Sequence, residues 1–462
     1  MVRLFKHYVP HAVLMLGLLD FLLLLVSAEA GWLIRNAQIG NDPGAITNRV
    51  PQILSFALAI QIAMIGVGVY GADAVNSVRF AAARLIVAIS LGTIFVSVMF
   101  FLMPELTLWR SNSLYAIGIA FLSMMAIRSV FGGLVGVQAF KTRILVLGAG
   151  RRAERVRELA KQPGRGFLIA GFVGMNEGPQ RISSAINRDA IESLSDHVVN
   201  LNVSEVVLAL DERRNALPLQ DLLRIKTTGV HVNELSTFLE RQTGRVDLDS
   251  VNPSWLIFSD GFTAGRRLSS ASKRLFDLVA SCIGLCLAWP IILLGAIAVK
   301  LESRGPAFYA QRRVGLYGQE FTILKLRSMR TDAEVGGQAV WAEKDDPRIT
   351  RVGRIIRKIR VDELPQLWTV LKGEMSFVGP RPERRQFVED LEQKLRFYAE
   401  RHMVKPGITG WAQINYPYGA SLEDARHKLE YDLYYAKNYT PFLDLLILIQ
   451  TARVLLFPSG AR

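Results

Sequence analysis

The sequence predicts an α-helical membrane bundle of four spans, then an α/β middle domain, then an α/β C-terminal domain with one further membrane-entering helix. Three observations predict it. Long apolar runs fill the first 140 residues, a glycine-punctuated strand-turn-helix pattern opens near residue 142, and a basic, motif-dense third follows another apolar run that contains Pro290. At 462 residues the chain is too long for one core. Half of it is hydrophobic, which points to a membrane. The net charge of +14 would suit nucleic acid, anionic lipid or phosphorylated substrates. No zinc pattern and no basic helix interleaved with base-stacking aromatics is present, so nucleic acid is set aside as a partner. The cysteines, Cys282 and Cys286, lie four apart in an apolar run and are expected to be two small buried hydrophobes.

The four spans run from about Ala12 to Ile34, Pro51 to Tyr70, Ala81 to Met103 and Leu114 to Val137. Each has roughly 20 residues or more, enough to cross ~30 Å of hydrocarbon. The first is too long for a signal peptide and shows no small-residue cleavage site. An even number of spans leaves both ends on one side. Arg3, Lys6, Arg79, Arg84 and the group Lys141, Arg143, Arg151 and Arg152 make that side cytoplasmic. Asp20, Glu29 and Arg128 interrupt the spans. A charge at that depth is a functional candidate, with pairing between helices, such as Asp20 with Arg128, as the structural alternative.

From Lys141 to about Phe262 the pattern changes. The apolar run Thr142 to Leu147 feeds Gly148-x-Gly150-x-x-Ala153 and a helix-like stretch from Glu154 to Lys161. This is the strand, turn and helix of a dinucleotide-binding unit, so a Rossmann-like fold is expected, with Gly148, Gly150 and Ala153 as candidate nucleotide contacts. A second strand ends near Glu177, a candidate ribose contact, and a third, Glu205 to Leu210, leads to Asp211 and Glu212. By fold alone this domain binds a nucleotide or serves only to regulate or assemble the protein. Tyr-x-x-x-Lys is absent, which argues against a sugar-nucleotide oxidoreductase, and no Gly-Lys pair exists to form a Walker A loop.

The last domain, 270–462, opens with Lys273-Arg274-Leu275-Phe276-Asp277 and an apolar helix over about 275–300. Pro290 removes a helix hydrogen bond and is expected to bend it. A full crossing would export everything beyond it, whereas a helix that enters one leaflet and returns keeps both ends together. In Phe321 to Met329, period-2 alternation puts Lys325 and Arg327 on one strand face, a good arrangement for a phosphate. Six basic residues then crowd between Arg348 and Arg360 opposite Val352, Ile355, Ile356 and Ile359, the pattern of a helix lying on anionic lipid. Arg357 in that run is placed to reach Asp362.

Asp362-Glu363-Leu364-Pro365-Gln366-Leu367 sits at a helix start with arginines beside it and Gly379-Pro380-Arg381-Pro382 downstream. A carboxylate can attack phosphorus, a second can hold Mg²⁺, and fixed cations can take up leaving-group charge. Taken alone, such an acidic pair is more often a helix cap.

The segment from about 270 to 462 resembles the bacterial sugar transferases, the monotopic phosphoglycosyl transferases that start glycan assembly on a polyprenyl phosphate. The resemblance rests on Lys273-Arg274-x-Phe276-Asp277, Gln311-x-Arg313-Val314-Gly315, Lys325-x-Arg327-Ser328-Met329, the Asp362 to Leu367 centre, Gly379 to Pro382, and Lys405-Pro406-Gly407-Ile408-Thr409-Gly410-Trp411-Ala412-Gln413. Four spans and a nucleotide-fold domain ahead of it resemble the large form of the family. Ile414-Asn415-Tyr416-Pro417-Tyr418-Gly419 after Gln413, together with the N-terminal architecture, resembles the subgroup of exosortase-associated exopolysaccharide clusters. The resemblance implies transfer of a sugar 1-phosphate from a UDP-sugar to undecaprenyl phosphate, with release of UMP and with Mg²⁺. It implies Asp362 as nucleophile, Glu363 as Mg²⁺ ligand and Arg357 and Arg381 on the phosphates. Arg313, Lys325, Arg327, Lys405 and Gln413 are further substrate-binding candidates, and Pro290 is the break of a re-entrant helix. The expected site is a bacterial inner membrane with the catalytic domain in the cytoplasm. Membrane lipid, a homo-oligomer and downstream glycosyltransferases are the further expected partners. The alternatives are a catalytically silent scaffold or a membrane oxidoreductase. Asp432, in the penultimate helix, is either a contact to a site cation or half of a structural ion pair. The run from Pro441 to Phe457 is expected to be a surface-bound helix.

Overall fold

A computed structural model describes residues 2–4, 7–9, 11–70, 78–133, 141–162, 165–175, 179–211, 217–251, 267–331, 333, 348–417, 419 and 421–456. Lys6, Glu177 and Glu212 lie outside these residues, as do the side chains of Arg3 and Arg79 and the span end at Val137. The chain divides into two compact units, residues 1–4 with 8–243, and residues 5–7 with 244–462.

In the first unit each apolar run is a helix: α1 His11–Ile39, α2 Val50–Val67, α3 Val78–Leu102 and α4 Arg110–Gly133. Pro51 sits in the first turn of α2, where its missing N–H costs nothing. Gly68 ends that helix in the left-handed conformation, its N–H reaching back to Ile65. Leu24, Phe56, Ile60, Met64, Leu85 and Met124 form the buried seam of the bundle, while many of the other apolar side chains face outward. Among the described residues, Val13–Ile39, Ile46–Val67, Ala81–Leu102 and, in the second unit, Ser270–Glu302 are long and apolar enough to cross a membrane; α4, an apolar helix of 24 residues, falls short of that measure. Arg128 donates two hydrogen bonds to Asp20, of 3.0 and 2.7 Å, so this pair is the interhelical bridge expected from sequence. Glu29 takes a partner that was not foreseen, Arg49, which also bonds the carbonyls of Pro43 and Gly44.

The same unit holds a five-stranded, all-parallel sheet. Its elements are β1 Thr142–Leu147, α5 Arg151–Lys161, β2 Phe167–Gly174, β3 Ile186–Asn187, α6 Leu194–Asn200, β4 Glu205–Leu208, α7 Leu219–Thr227, β5 His231–Glu234 and α8 Leu235–Thr243. The strand order is β3-β2-β1-β4-β5. Successive side chains point to opposite faces. Ile144, Val146 and Val207 accordingly pack under α5 and α8, while Leu145, Leu147 and Val206 pack under α6 and α7.

The second unit opens its described helices with α9, Arg267–Glu302, which runs through Pro290 as a single 36-residue helix. Proline does not end it. Both halves of α9 touch the rest of the unit. Near the start, Lys273, Arg274 and Asp277 bond residues of the core, and near the end Val299 packs with Leu326 and Ile356. Between them Val279, Ile283, Leu287, Trp289 and Leu294 are exposed. Cys282 and Cys286 are exposed free thiols on this helix, not the buried pair expected, because the apolar face that carries them is uncovered.

A hairpin follows, β6 Phe308–Val314 with β7 Glu320–Leu326, then α10 Arg351–Lys358 and α11 Gln366–Lys372. Strands β8 Ser376–Val378 and β9 Gly407–Thr409 pair in parallel, with α12 Arg385–Lys394 between them. The chain continues through α13 Trp411–Asn415, α14 Leu422–Asn438 and α15 Pro441–Leu456. Helix α15 packs one face into this unit, while Leu445 on it is exposed. Leu443 and Ile447 are fully buried in the core of this unit, and Asp444 bonds Lys273 at 2.6 Å.

Candidate active site

Asp362 and Glu363 fall in a single 3₁₀ turn, Val361–Glu363, between α10 and α11. Two features set that turn. Glu302, at the end of α9, accepts hydrogen bonds from Arg351 N (2.7 Å) and Val352 N (3.0 Å), anchoring the first turn of α10, where its charge also meets the helix dipole. Arg360 then takes a left-handed conformation (φ 59°) that stops α10 and redirects the chain, so two carboxylates arrive together behind α11.

The adjacent carboxylates have different surroundings. Glu363 is bonded by Lys325 (3.1 Å), Arg360 (3.3 Å) and Arg381 (3.4 Å). Burial alone would raise its pKa, but Arg381, Lys325 and Arg360 together outweigh burial and bring it down to about 2. Asp362 is only 9% exposed, yet no described residue hydrogen-bonds its carboxylate. Burial, then the charge of Glu363, push its pKa above the ordinary aspartate range, with Lys325, Arg357 and Arg360 offsetting part of the rise. Burial lowers the pKa of Lys325, and the charge of Glu363 opposes that. Side by side stand one carboxylate fixed as an anion and one left unbonded.

Arg381 is held by backbone geometry. Gly379 N donates to Thr409 O and Gly407 N donates to Pro380 O, at 2.9 and 3.0 Å. A Cβ on Gly379 would lie 2.1 Å from Lys405 O, and one on Gly407 would lie 2.1 Å from Gly379 N. Only glycine permits this approach, which accounts for the glycines of both downstream motifs. Arg313 completes the wall, bonding Gln311, Pro382 O (3.1 Å) and Glu383 (3.4 Å). Arg313, Lys325, Glu363, Gln366 and Arg381 line one small cleft.

Among the described residues no group of three or more His, Cys, Asp or Glu side chains could hold a metal ion. A protein-only Mg²⁺ cage is therefore not built here. Glu363 alone fits the other Mg²⁺ habit, one carboxylate sharing the ion with substrate phosphates and water, since its low pKa keeps it ionised.

The bacterial sugar transferase profile matches residues 268–458. A protein of Aeromonas hydrophila named UDP-N-acetylgalactosamine-undecaprenyl-phosphate N-acetylgalactosaminephosphotransferase is 44% identical over 232 residues, 50% of this chain and 53% of that protein. A UDP-glucose:undecaprenyl-phosphate glucose-1-phosphate transferase of Caulobacter vibrioides is 41% identical over 191 residues, covering 41% of this chain and 71% of the relative. An uncharacterized sugar transferase of Bacillus subtilis is 45% identical over 188 residues, 41% of this chain but 89% of the relative. The chain belongs to the bacterial sugar transferase family. It spans about half the length of the Aeromonas relative.

Within this bacterial sugar transferase the other sequence candidates disperse. Lys325 is the last residue but one of β7, and Arg327 lies beyond the strand, where alternation no longer fixes its direction. Its guanidinium is buried against Ser303 O and Arg304 O (both 2.9 Å), clamping the end of α9 rather than entering the cleft. Lys405 has its pKa lowered by burial and by Arg274 and Lys273, which places its amine near the start of α9. Gln413 bonds Ile408 O at 3.3 Å, and its Oε1 is buried without a described partner. Arg357 acts on Asp362 through its charge. The opening motif proves to be a staple. Lys273 bonds Val378 O, Tyr435 and Asp444; Arg274 caps α11 at Val370 O and Leu371 O; buried Asp277 accepts from Ser376 and Phe377 N. Asp432 makes the structural pair, with Arg401 at 2.7 Å.

Sequence reasoning missed Arg360 and Gln366 as site residues, although both sit in or beside the Asp362 motif. It also missed Asp211. At the glycine turn of the middle domain, the Asp211 carboxylate accepts from Arg151 N (2.8 Å) and Arg152 N (3.0 Å). It fills the helix N-terminus where Gly148, Gly150 and Ala153 were expected to admit a pyrophosphate. A Cβ on Gly150 would lie 2.1 Å from Asp211 Oδ2, so the glycine makes room for this carboxylate.

Proposed function

We propose that this chain is a membrane-bound phosphoglycosyl transferase that moves a sugar 1-phosphate from a UDP-sugar to undecaprenyl phosphate through a phosphoryl-Asp362 intermediate. The observation that carries the reading is the contrast between Asp362, buried and without a hydrogen bond among the described residues, and Glu363, tied to three cations. An unbonded carboxylate ringed by positive charge is a nucleophile aimed at a phosphate. An Asp362 oxygen forms a bond to the phosphorus that bears the sugar, the bond to the bridging oxygen breaks, and UMP leaves with that oxygen. An oxygen of undecaprenyl phosphate then attacks the same phosphorus, freeing Asp362 and yielding the diphosphate-linked sugar. Lys325 and Arg381 stabilise the charge on the transferring and departing phosphates, passing from Glu363 to the substrate. Arg357 and Arg313 hold the approach. Glu363 would hold Mg²⁺, which supplies charge neutralisation at the diphosphate when bound.

The setting we infer is a bacterial inner membrane, catalytic unit cytoplasmic, with α9 re-entrant. Contacts from both halves of α9 to one unit support this, since a straight crossing would carry its second half away from that unit. The exposed apolar face of α9, with Ile355, Ile359 and Trp368, is surface for lipid. The parallel strand order β3-β2-β1-β4-β5 supports a Rossmann-like reading of the middle domain, and the Asp211 plug favours an assembly role over dinucleotide binding. The relatives' names give a UDP-sugar and undecaprenyl phosphate as substrates, and we infer that the lipid-linked product here begins an exopolysaccharide. The test is UMP release from UDP-glucose and UDP-N-acetylgalactosamine by the purified full chain with undecaprenyl phosphate. Release by the wild type and its loss in Asp362→Asn is expected; near-normal turnover of Asp362→Asn would refute the mechanism.

A further inference from the structure

The cleft at Glu363 is too small for a nucleotide sugar, with room for about 10 Å³, and three of its lining side chains are cations against one carboxylate. Across the Arg381–Glu383 segment lies a second, larger cavity of about 250 Å³, formed by α12, the Ala399–Met403 turn and α14. The two share that segment as a common wall. Arg313 of the cleft bonds Pro382 O and Glu383, Glu383 also lines the larger cavity, and Arg401 at that cavity's base donates to Arg381 O at 2.9 Å.

The larger cavity has a different chemistry. Phe387, Leu391, Leu422 and Leu429 give it apolar walls. Its charges balance: Glu383, Asp390 and Asp432 stand against Lys394, Arg401 and Lys428, and four of these six pair with each other, Arg401 with Asp432 and Lys394 with Asp390. Such a site offers no net charge to a diphosphate. It offers a flat aromatic and aliphatic surface for a ring, with a few polar groups at the edge for hydroxyls and carbonyls. A hexose, polar over most of its surface, gains little there.

Resting on the transferase reading, we propose that this cavity is the subsite for the nucleoside of the UDP-sugar, a pyrimidine ring with its ribose. The diphosphate crosses the Arg381–Glu383 ridge, so that Arg381 and Lys325 receive the phosphates and Asp362 faces the one that bears the sugar. The ring packs on Phe387 and Leu422, and Glu383 and Lys428 meet the ribose and ring edges.

Phe387→Ala and Leu422→Ala, the latter at a position 48% exposed, remove the ring contacts with little risk to the fold. Each is expected to raise the KM for the UDP-sugar and the inhibition constant of UMP by a common factor of about ten. The KM for undecaprenyl phosphate should stay the same. Titration of UMP into the full-length protein by calorimetry reads the same loss without turnover. Unchanged UMP binding in both variants would overturn the proposal. A raised KM for the UDP-sugar with unchanged UMP inhibition would also overturn it, by giving the cavity to the hexose. The transferase reading fails separately: wild type that binds UMP at this cavity but releases none from either UDP-sugar would reject the reaction and leave the nucleoside site standing.

Discussion

Two places in this chain have the form of a phosphate site, and they differ in whether a second carboxylate stands beside the one that holds the donors. At the glycine turn of the middle domain, the protein's own Asp211 takes the N–H groups of Arg151 and Arg152. At the Asp362 turn, Lys325, Arg360 and Arg381 hold Glu363, while Asp362 itself is left without a hydrogen bond among the described residues. The first arrangement satisfies an orphan helix end and is complete. The second keeps a largely buried carboxylate whose charge burial disfavours, the environment expected of the working site proposed above. The difference therefore lies in the second carboxylate: both sets of donors hold one carboxylate of the protein, but only the Asp362 turn keeps another beside them that no described residue hydrogen-bonds.

The largest effect that can break this contrast is at Asp362. Asp362→Asn is expected to lower UMP release by at least ~10³-fold, because it removes the proposed nucleophile. Its melting temperature should be unchanged or higher, since the raised pKa marks a carboxylate that is less stable ionised in the fold than in water. Loss of activity together with a lower melting temperature would instead mark Asp362 as structural.

Next come the cations. Lys325→Met and Arg381→Ala are each expected to reduce kcat/KM by about 10²-fold, the usual size for one charge-stabilising donor. They also sharpen the assignment through pH. In the proposed mechanism Asp362 reacts ionised, so activity should fall as pH drops through its raised pKa. Lys325 lowers that pKa, and its removal should move the acid limb of the rate profile to higher pH. A limb that stays in place would separate Lys325 from Asp362.

The smallest effect belongs to the closed site. Asp211→Ala should cost about 0.5–2 kcal/mol in the stability of its unit, the range for a lost helix cap, read as a lower melting temperature. UMP release should stay within about twofold of wild type, and added NAD should leave the wild-type melting temperature where it is. A wild-type shift with NAD would make the middle domain a nucleotide site after all.

Local signals gave the outline of both regions. Apolar runs marked α1 to α4, and the change to a short run followed by Gly148 and Gly150 marked β1 and α5, because period and length are properties of neighbouring residues. The cluster around Asp362 was legible for a similar reason: Arg357, Asp362, Glu363 and Arg381 lie within 25 residues of chain. What stayed hidden depends on distant partners. Asp211 lies 60 positions from Arg151, and Asp444 lies 171 from Lys273, so neither the plug nor the staple has a local signature. Arg327 misled because alternation holds only while the strand lasts, and β7 ends at Leu326. The cysteines misled because an apolar helix face shows what wants covering, not what covers it.

The most direct measurement is capture of the enzyme between its two half-reactions. Full-length protein incubated with UDP-glucose or UDP-N-acetylgalactosamine, without undecaprenyl phosphate, should release one UMP per active site and gain the mass of one sugar phosphate. Peptide mapping should place that mass on Asp362. Stoichiometric UMP release with Asp362 unmodified, or normal turnover with no adduct at any residue, would contradict the account.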